Sequence, residues 1–401
     1  MNRTEQERRK IGASSWRTYE LGNVPGVEFV AYGVVRPQHD PEGVPMVRAG
    51  DIVDGAVDES NLARISLDVN CRHPRTSLQP GDLLVVLVGR VGDTAVATRQ
   101  HQGWNVARSV AVIRFSPDGL ANGISIWIRW WLRTPQAHGF LRACSANAEH
   151  ATLPLSDLKQ VPVSLPAPHL RARLLRTMSL VERRMELNTQ IAARATELAD
   201  AYFARYAQEN RHAYQPGLTI ADVGRVVGGS PIARSTAGIV DGAVAIAWAA
   251  PREVLNSTSV QLDRTAETSW APRGAACNPG TLLVAPRPGE VKTVMSTISV
   301  IPGRGTLAIQ ANEEPDRMWL LHDLRSRSQE LVATAQGEQA RAMSRKAFSR
   351  LNVSWPSATV RKRFAEIAAP LHDRAHTALA ENRALEELVA SEMAGRLDAE
   401  R

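Results

Sequence analysis

Arginine dominates the polar chemistry available to this chain. Of 48 basic residues, five are lysine (Lys10, Lys159, Lys292, Lys346, Lys362) and the remaining 43 are arginine. A planar guanidinium fork pairs with phosphate or with the major-groove edge of guanine, so arginine in this quantity points toward nucleic acid. A GC-rich genome produces the same bias through its codons, and both accounts stand at this level. The formal net charge of +7 permits nucleic-acid binding without requiring it. Catalytic constellations are hard to find. No Gly-Lys-Ser/Thr occurs, which excludes a Walker phosphate loop. An amino-methyltransferase would need Asn/Asp-Pro-Pro-aromatic, which is also missing. Gly228-Gly229-Ser230 reads as a turn, and Gly89-Arg90-Val91-Gly92 as a hairpin turn with an arginine tip. Glu290-Val291-Lys292 has the form of the Glu-x-Lys half of a nuclease metal site. The matching Pro-Asp, Pro117-Asp118, lies in the other half of the chain, so chance spacing is the simpler reading. The histidines are scattered, and no nucleophile elbow occurs.

Charge is unevenly spread. Ile11 to Glu59 holds eight acids against Arg17, Arg36 and Arg48. Ser60 to Ser145 holds ten arginines against Asp68, Asp82, Asp93 and Asp118. A basic face built this way would attract phosphates, unless folding interleaves the two stretches. Cys71, Cys144 and Cys277 are too far apart for a zinc or redox motif and read as reduced, buried thiols of a cytoplasmic protein. Apolar runs such as Leu83 to Val88 are too short to span a bilayer, so no membrane partner is expected.

The elements that position these residues come in two copies. Val163-Ser164-Leu165-Pro166 matches Val353-Ser354-Trp355-Pro356, 190 residues on. Arg171-Ala172-Arg173-Leu174 matches Arg361-Lys362-Arg363-Phe364, and Glu197-Leu198-Ala199 matches Glu387-Leu388-Val389, without a gap. A repeat of this period sets the architecture. Short apolar runs bounded by Gly, Pro and Asp predict strands at Val44–Arg48, Leu83–Val88 and Val110–Phe115. Pro279-Gly280-Thr281-Leu282-Leu283-Val284 repeats Pro80-Gly81-Asp82-Leu83-Leu84-Val85. Ile124–Arg142 predicts a helix whose Trp127, Trp130 and Trp131 belong to the core, with Trp319–Ala335 as its counterpart.

The expected organisation is α+β, with two tandem strand-rich domains each followed by a long helix. The divisions are 1–165 for the first domain, with 1–13 a frayed tail, 166–210 for the first helix, 211–355 for the second domain and 356–401 for the second helix. Four-three spacing marks a seam on the first helix: Leu174, Met178, Val181, Met185, Asn188, Ala192, Ala195, Ala199. The second helix carries Phe364, Ala368, Leu371, Ala375, Ala378, Asn382, Leu385, Val389. An antiparallel coiled coil sets Leu174 against Val389, Met178 against Leu385 and Val181 against Asn382. It also sets Met185 against Ala378, Ala192 against Leu371 and Ala199 against Phe364, so large side chains face small ones. Each helix is expected to span ~50–60 Å.

Two strand-rich domains, each followed by a long helix, resemble the DNA-specificity subunit of type I restriction–modification systems. Leu218-Thr219-Ile220-Ala221-Asp222-Val223-Gly224 with Val227-Gly228-Gly229-Ser230-Pro231 resembles the start of that family's recognition domain. Tyr19–Val24 is a weaker copy, Gly43–Ile52 resembles the strand and turn that follow, and Gly81-Asp82-Leu83-Leu84 matches a mid-domain stretch. Val161–Leu174 and Leu351–Phe364 resemble the domain-to-helix junctions, although the family's Pro-Pro pair and Gln are replaced here by Pro166-Ala167-Pro168 with Arg171 and Pro356-Ser357 with Arg361.

The resemblance implies a non-catalytic subunit whose domains each read half of a split double-stranded DNA site. Its helices would set the gap and dock two methyltransferase subunits, and a restriction–translocase subunit would join them. This chain would bind no cofactor. S-adenosylmethionine, ATP and Mg²⁺ would sit on the partners. The residues expected on DNA are Arg72, Arg75, Arg90, Arg99, Asn105 and Arg108 in the first domain, with His73 beside them. In the second they are Arg234, Arg252, Arg273, Arg287, Lys292 and Arg304. The competing readings are a divergent nuclease or methyltransferase acting alone, a scaffold that has lost one reader, and a specificity protein of a related phage-defence system.

Overall fold

The computed structural model describes residues 16–53, 55–59, 61–145, 152–235, 243–287, 289–311, 313–335 and 344–398. The expected tail, 1–13, lies outside the described residues. Two compact units form: Met1–Arg183 with Ala384–Arg401, and Arg184–Arg383. The division runs through both long helices instead of at their ends. Each unit therefore holds one strand-rich block and part of each helix.

In the first unit an antiparallel four-stranded sheet runs in the order Val27–Tyr32, Val110–Phe115, Leu83–Val86, Thr94–Val96. All four side chains of Leu83–Val86 are buried, which accounts for an unbroken apolar run in place of alternation. A smaller sheet places His39–Val47 between Ala63–Ile65 and Asn105–Val106, the last pairing being parallel. The second unit repeats this plan. Its larger sheet runs Arg225–Gly228, Leu307–Gln310, Leu282–Arg287, Glu290–Ser296, Gln261–Leu262. Its smaller sheet places Ala243–Ala249 between Glu267–Pro272 and Val300–Pro302, again with one parallel pairing.

The tryptophan-rich segment forms two helices, Ile124–Trp131 and Pro135–Ser145, where one was expected. Pro135 cannot continue the hydrogen-bond ladder and pushes Thr134 out of helical geometry, so the chain turns there. Its counterpart also divides, into Glu314–Ser326 and Ser328–Ala335. Trp127, Trp130 and Trp131 are buried, and each ring N–H finds an acceptor, as buried indoles require. One of these bonds is repeated between the copies. Trp127 Nε1 donates to the Ser164 carbonyl at 3.0 Å and Trp319 Nε1 to the Ser354 carbonyl at 2.6 Å. Ser164 belongs to the strand Pro162–Pro166, which pairs antiparallel with Trp16–Glu20.

The long helices are Pro168–Glu209 and Ala358–Asp398. In the second unit their portions run antiparallel, but one heptad away from the expected register. Asn382 meets Asn188, at 3.0 Å between side chains, and not Val181. Phe364 stacks against Phe203 and Tyr206, four and seven residues beyond Ala199. Ala192, Ala195 and Ala375 form a close-packed patch with Leu371 and Leu379, and Arg184 pairs with Glu381 at 2.8 Å. The apolar pattern repeats every seven residues, so a seven-residue slide keeps it intact. The asparagines fix the register: Asn188 Nδ2 donates to Asn382 Oδ1, and Asn382 Nδ2 donates to the Met185 carbonyl and the Thr189 hydroxyl. In the first unit Met178, Val389 and Met393 are buried, Leu174 and Val181 half-buried. There Glu182 holds Arg129 at 3.0 Å and Trp130 at 3.1 Å, and Glu386 holds Arg133 at 2.9 Å. Cys277 alone among the cysteines is buried; Cys144 is half-exposed and Cys71 exposed, which corrects the expectation of three buried thiols. Among the described residues, no helix is long and apolar enough to cross a membrane.

Candidate nucleic-acid interface

The smaller sheets present one loop position twice. In the first unit the Val34 N–H donates to the Val106 carbonyl at 2.7 Å, and the Arg108 N–H donates to the Val34 carbonyl at 2.9 Å. In the second the Ser230 N–H donates to the Pro302 carbonyl at 2.9 Å, and the Arg304 N–H to the Ser230 carbonyl at 2.9 Å. The preceding glycines allow this approach: a Cβ on Gly33 would lie 1.8 Å from the Val106 carbonyl oxygen, and one on Gly229 would lie 1.9 Å from that of Gly303. Arg108 and Arg304 therefore occupy the same place in the two copies. Both are exposed, with the main chain anchored and the guanidinium left to solvent.

The other expected residues divide. Arg99 is exposed on the turn Arg99–His101. Arg75 is exposed with its guanidinium 4.7 Å from the centre of the Phe29 ring, a contact that orients it without neutralising it. Arg72 pairs along its own helix with Asp68 at 2.8 Å. Arg234 and Arg252 share Glu267, at 3.3 and 3.1 Å. Pairs this exposed contribute little to stability, so these arginines can exchange the carboxylate for a phosphate at small cost. His73 is half-buried, its Nδ1 against the Val69 carbonyl at 2.9 Å.

Three expectations are corrected. Asn105 is fully buried and bonds to Thr76, Asn70 and the His73 carbonyl, so it holds the sheet's edge and cannot reach a base. Arg90 does not project from its hairpin. It folds back on the Ile52 carbonyl and pairs with Asp93 at 2.9 Å. Lys292 donates to the carbonyls of Leu255 and Ser257 and ties down the turn after Pro251–Leu255. That commitment also removes the lysine from any Glu-x-Lys metal site, and among the described residues no group of three or more His, Cys, Asp or Glu could hold a metal ion. The side chains of Arg273 and Arg287 lie outside the described residues. Arg36, counted above only against an acidic stretch, is exposed two residues along from Val34, on the segment whose main chain anchors Arg108. Its signal was the glycine that opens this segment, Gly33.

A second polar cluster lies inside the second unit. His322 Nδ1 donates to Asp200 at 2.7 Å, and Arg325 donates to the other oxygen of the same carboxylate at 2.7 Å. His372 Nε2 donates to His322 Nε2 at 2.9 Å, since His322 spends its proton on Asp200. Burial holds both imidazoles below their usual pKa, His372 down to about 3, and the charge of Arg325 adds to this. Burial alone would raise the pKa of Asp200, but the bonds from His322 and Arg325 outweigh it and hold the carboxyl well below the usual range. The cluster joins Glu314–Ser326 to both long helices and acts as a structural lock.

No protein-family model matches the chain. Over 154 residues it is 32% identical to the type I restriction enzyme EcoBI specificity subunit of Escherichia coli. The chain resembles a type I specificity subunit. The matched stretch is 38% of this chain and spans about a third, 32%, of that relative's length. Among solved structures, an S subunit of a type I restriction–modification system from M. genitalium is 12% identical, with a TM-score of 0.42, covering 94% of this chain and 95% of that one. The HsdS subunit from Thermoanaerobacter tengcongensis is 15% identical, with a TM-score of 0.35 and coverage of 95% and 96%.

Proposed function

We propose that this chain is the DNA-specificity subunit of a type I restriction–modification complex. Each strand-rich block would read one half of a two-part site in double-stranded DNA. The observation that carries the reading is the duplicated loop, with an exposed arginine, Arg108 or Arg304, held by its own main chain at the same position of each copy. An arginine fork on a fixed backbone suits a guanine edge or a phosphate. Two linked readers gain from effective concentration only where their spacing fits the DNA, which suits a gapped site. Catalysis would belong to partners: methyltransferase subunits carrying S-adenosylmethionine and a restriction subunit using ATP and Mg²⁺. The sequence likeness to the EcoBI specificity subunit supports this reading.

The test is to co-express the chain with its methyltransferase and map methylated adenines across the host genome. A split motif with a fixed gap, lost when the chain is deleted, is the expected result; a continuous motif would mean that one reader is inactive, and no methylation would overturn the reading. Within that experiment Arg108→Gln is expected to relax one half of the motif and Arg304→Gln the other. If either arginine meets a phosphate instead, its variant lowers the slope of log affinity against log salt by about one at every sequence.

A further inference from the structure

The two copies treat one position of the repeat differently. In the second unit Asp316 lies three residues before Trp319, whose ring N–H marks the junction. Asp316 accepts from Arg361 Nε at 2.7 Å, and the Arg361 guanidinium lies 4.4 Å from the centre of the Trp355 ring. The pair is largely buried, its side chains 12% and 18% exposed. In the first unit Trp127 makes the equivalent bond to Ser164. Counting from it, Ile124 stands where Asp316 does, Leu165 where Trp355 does and Arg171 where Arg361 does. Arg171 keeps its place at the start of the long helix without the carboxylate or the ring.

What remains there is an open groove of about 890 Å³ lined by Ile124, Leu165 and Arg171, with Arg17, Tyr19 and His169 beside them. Asp118 is the one acid among its lining residues. Among the described residues, no ion pair reaches Arg171. Burial lowers its pKa and outweighs the rise due to Tyr19, whereas a neighbouring carboxylate would raise it. Pro166 and Pro168 line the wall and stiffen it. An apolar floor with a few convergent polar groups is the usual form of a recognition site.

We propose that this groove of the first unit receives a carboxylate from an acidic segment of a methyltransferase subunit, seated over Ile124 where the second unit supplies Asp316 from its own chain. The inference rests on the reading that the chain assembles with such a subunit. The occupant is assigned by charge and by precedent within the molecule. A guanidinium fork takes a carboxylate with two hydrogen bonds, and the second unit fills the same position with one. A phosphate is the less suitable guest, because Asp118 repels its greater charge and the second unit fills the same position with a carboxylate. In the second unit Arg361 is satisfied internally by Asp316, so the two copies present unlike junctions, and the acidic segment distinguishes between them.

The test titrates purified methyltransferase subunit into the full-length chain and measures affinity by calorimetry. Arg171→Met is expected to weaken assembly about 10–100-fold, as truncating one partner of a part-buried charged pair does. Ile124→Asp supplies the carboxylate internally and is expected to weaken assembly about 10-fold while keeping or raising the melting temperature. Arg361→Met lowers the melting temperature and leaves the affinity of the folded protein unchanged. A parent chain that fails to assemble would overturn the functional reading and this inference with it. A parent that assembles, with both groove variants at parental affinity, would overturn this inference alone. Unchanged assembly with weaker, less salt-dependent DNA binding by Arg171→Met would identify the guest as a DNA phosphate and overturn the carboxylate.

Discussion

Arg114→Gln is expected to cost about 3–5 kcal/mol of stability, the usual result of leaving one charge of a buried pair alone. Adding Asp82→Thr should restore most of it. Arg114 and Asp82 are 8% and 3% exposed and meet twice, at 3.0 Å and 2.6 Å. Arg114 also donates to the Ser77 carbonyl at 2.7 Å, and Asp82 accepts from the Gln79 N–H at 2.8 Å. Truncating the arginine strands a carboxylate in the core. The second unit shows that the position does not need charge. Leu282 pairs with Ile309 as Leu83 pairs with Ile113, which aligns Thr281 with Asp82 and Gln310 with Arg114. Thr281 turns its hydroxyl to the Asn278 carbonyl at 2.6 Å. The double variant therefore installs a solution that the molecule already uses, and replacing a whole buried pair is often neutral. Urea denaturation of the full chain checks this. A loss under ~1 kcal/mol for Arg114→Gln, or a double variant no better than the single, would show that the pair does not hold this sheet.

Acidification is expected to loosen the second unit through His372. Its folded pKa is about 3, against about 6.5 in an unfolded chain. The unfolded chain takes up the proton first, so the stability contributed by neutral His372 is present above pH ~6.5 and lost as pH falls toward ~3. Between pH 7 and pH 5 this residue alone accounts for about 2 kcal/mol. The geometry agrees: the 2.9 Å bond between the two Nε2 atoms needs one proton, and two charged rings would point N–H groups at each other. His322 acts in the same direction. Asp323 opposes them, because burial pushes its carboxyl up to about 6 and its uptake of a proton in the fold stabilises as pH falls. The diagnostic quantity is therefore a difference. The stability gap between the parent and His372→Leu should shift against the parent by about 2 kcal/mol from pH 7 to pH 5. A gap independent of pH would mean that His372 takes up its proton as readily in the fold as in the unfolded chain.

The repeat was legible because it is written in local terms. A Val-Ser-x-Pro stretch and an arginine five residues after its proline recur at a constant offset, and the tryptophan before each junction makes the same hydrogen bond in both copies. The seam was legible as a set of residues, but its register was not. The Asn188–Asn382 pair carries that information, and it becomes visible only when polar satisfaction is required along with apolar spacing. Asn105 and Lys292 were misread for a different reason. Nothing local to either residue says that its amide or ammonium will be consumed by carbonyls and amides far along the chain. The Asp200–His322–His372 cluster joins residues separated by 122 and 50 positions, beyond any motif. Arg108 and Arg304 sit between these extremes. Their exposure was guessed from turn composition, and their equivalence emerges only from the parallel strand pairing beside them.

The second unit is one continuous stretch, Arg184–Arg383, whereas the first is completed by Ala384–Arg401. On a ribosome adding roughly 5–20 residues per second, the roughly 200 residues between the first unit's two parts take about 10–40 s to make. Throughout that interval the stripe of Leu174, Met178 and Val181 is already synthesised, while Val389 and Met393, buried in the finished unit, do not yet exist. The block made first is thus the block finished last. A nascent chain carries an uncovered apolar helix face that a chaperone or a neighbouring nascent chain could engage.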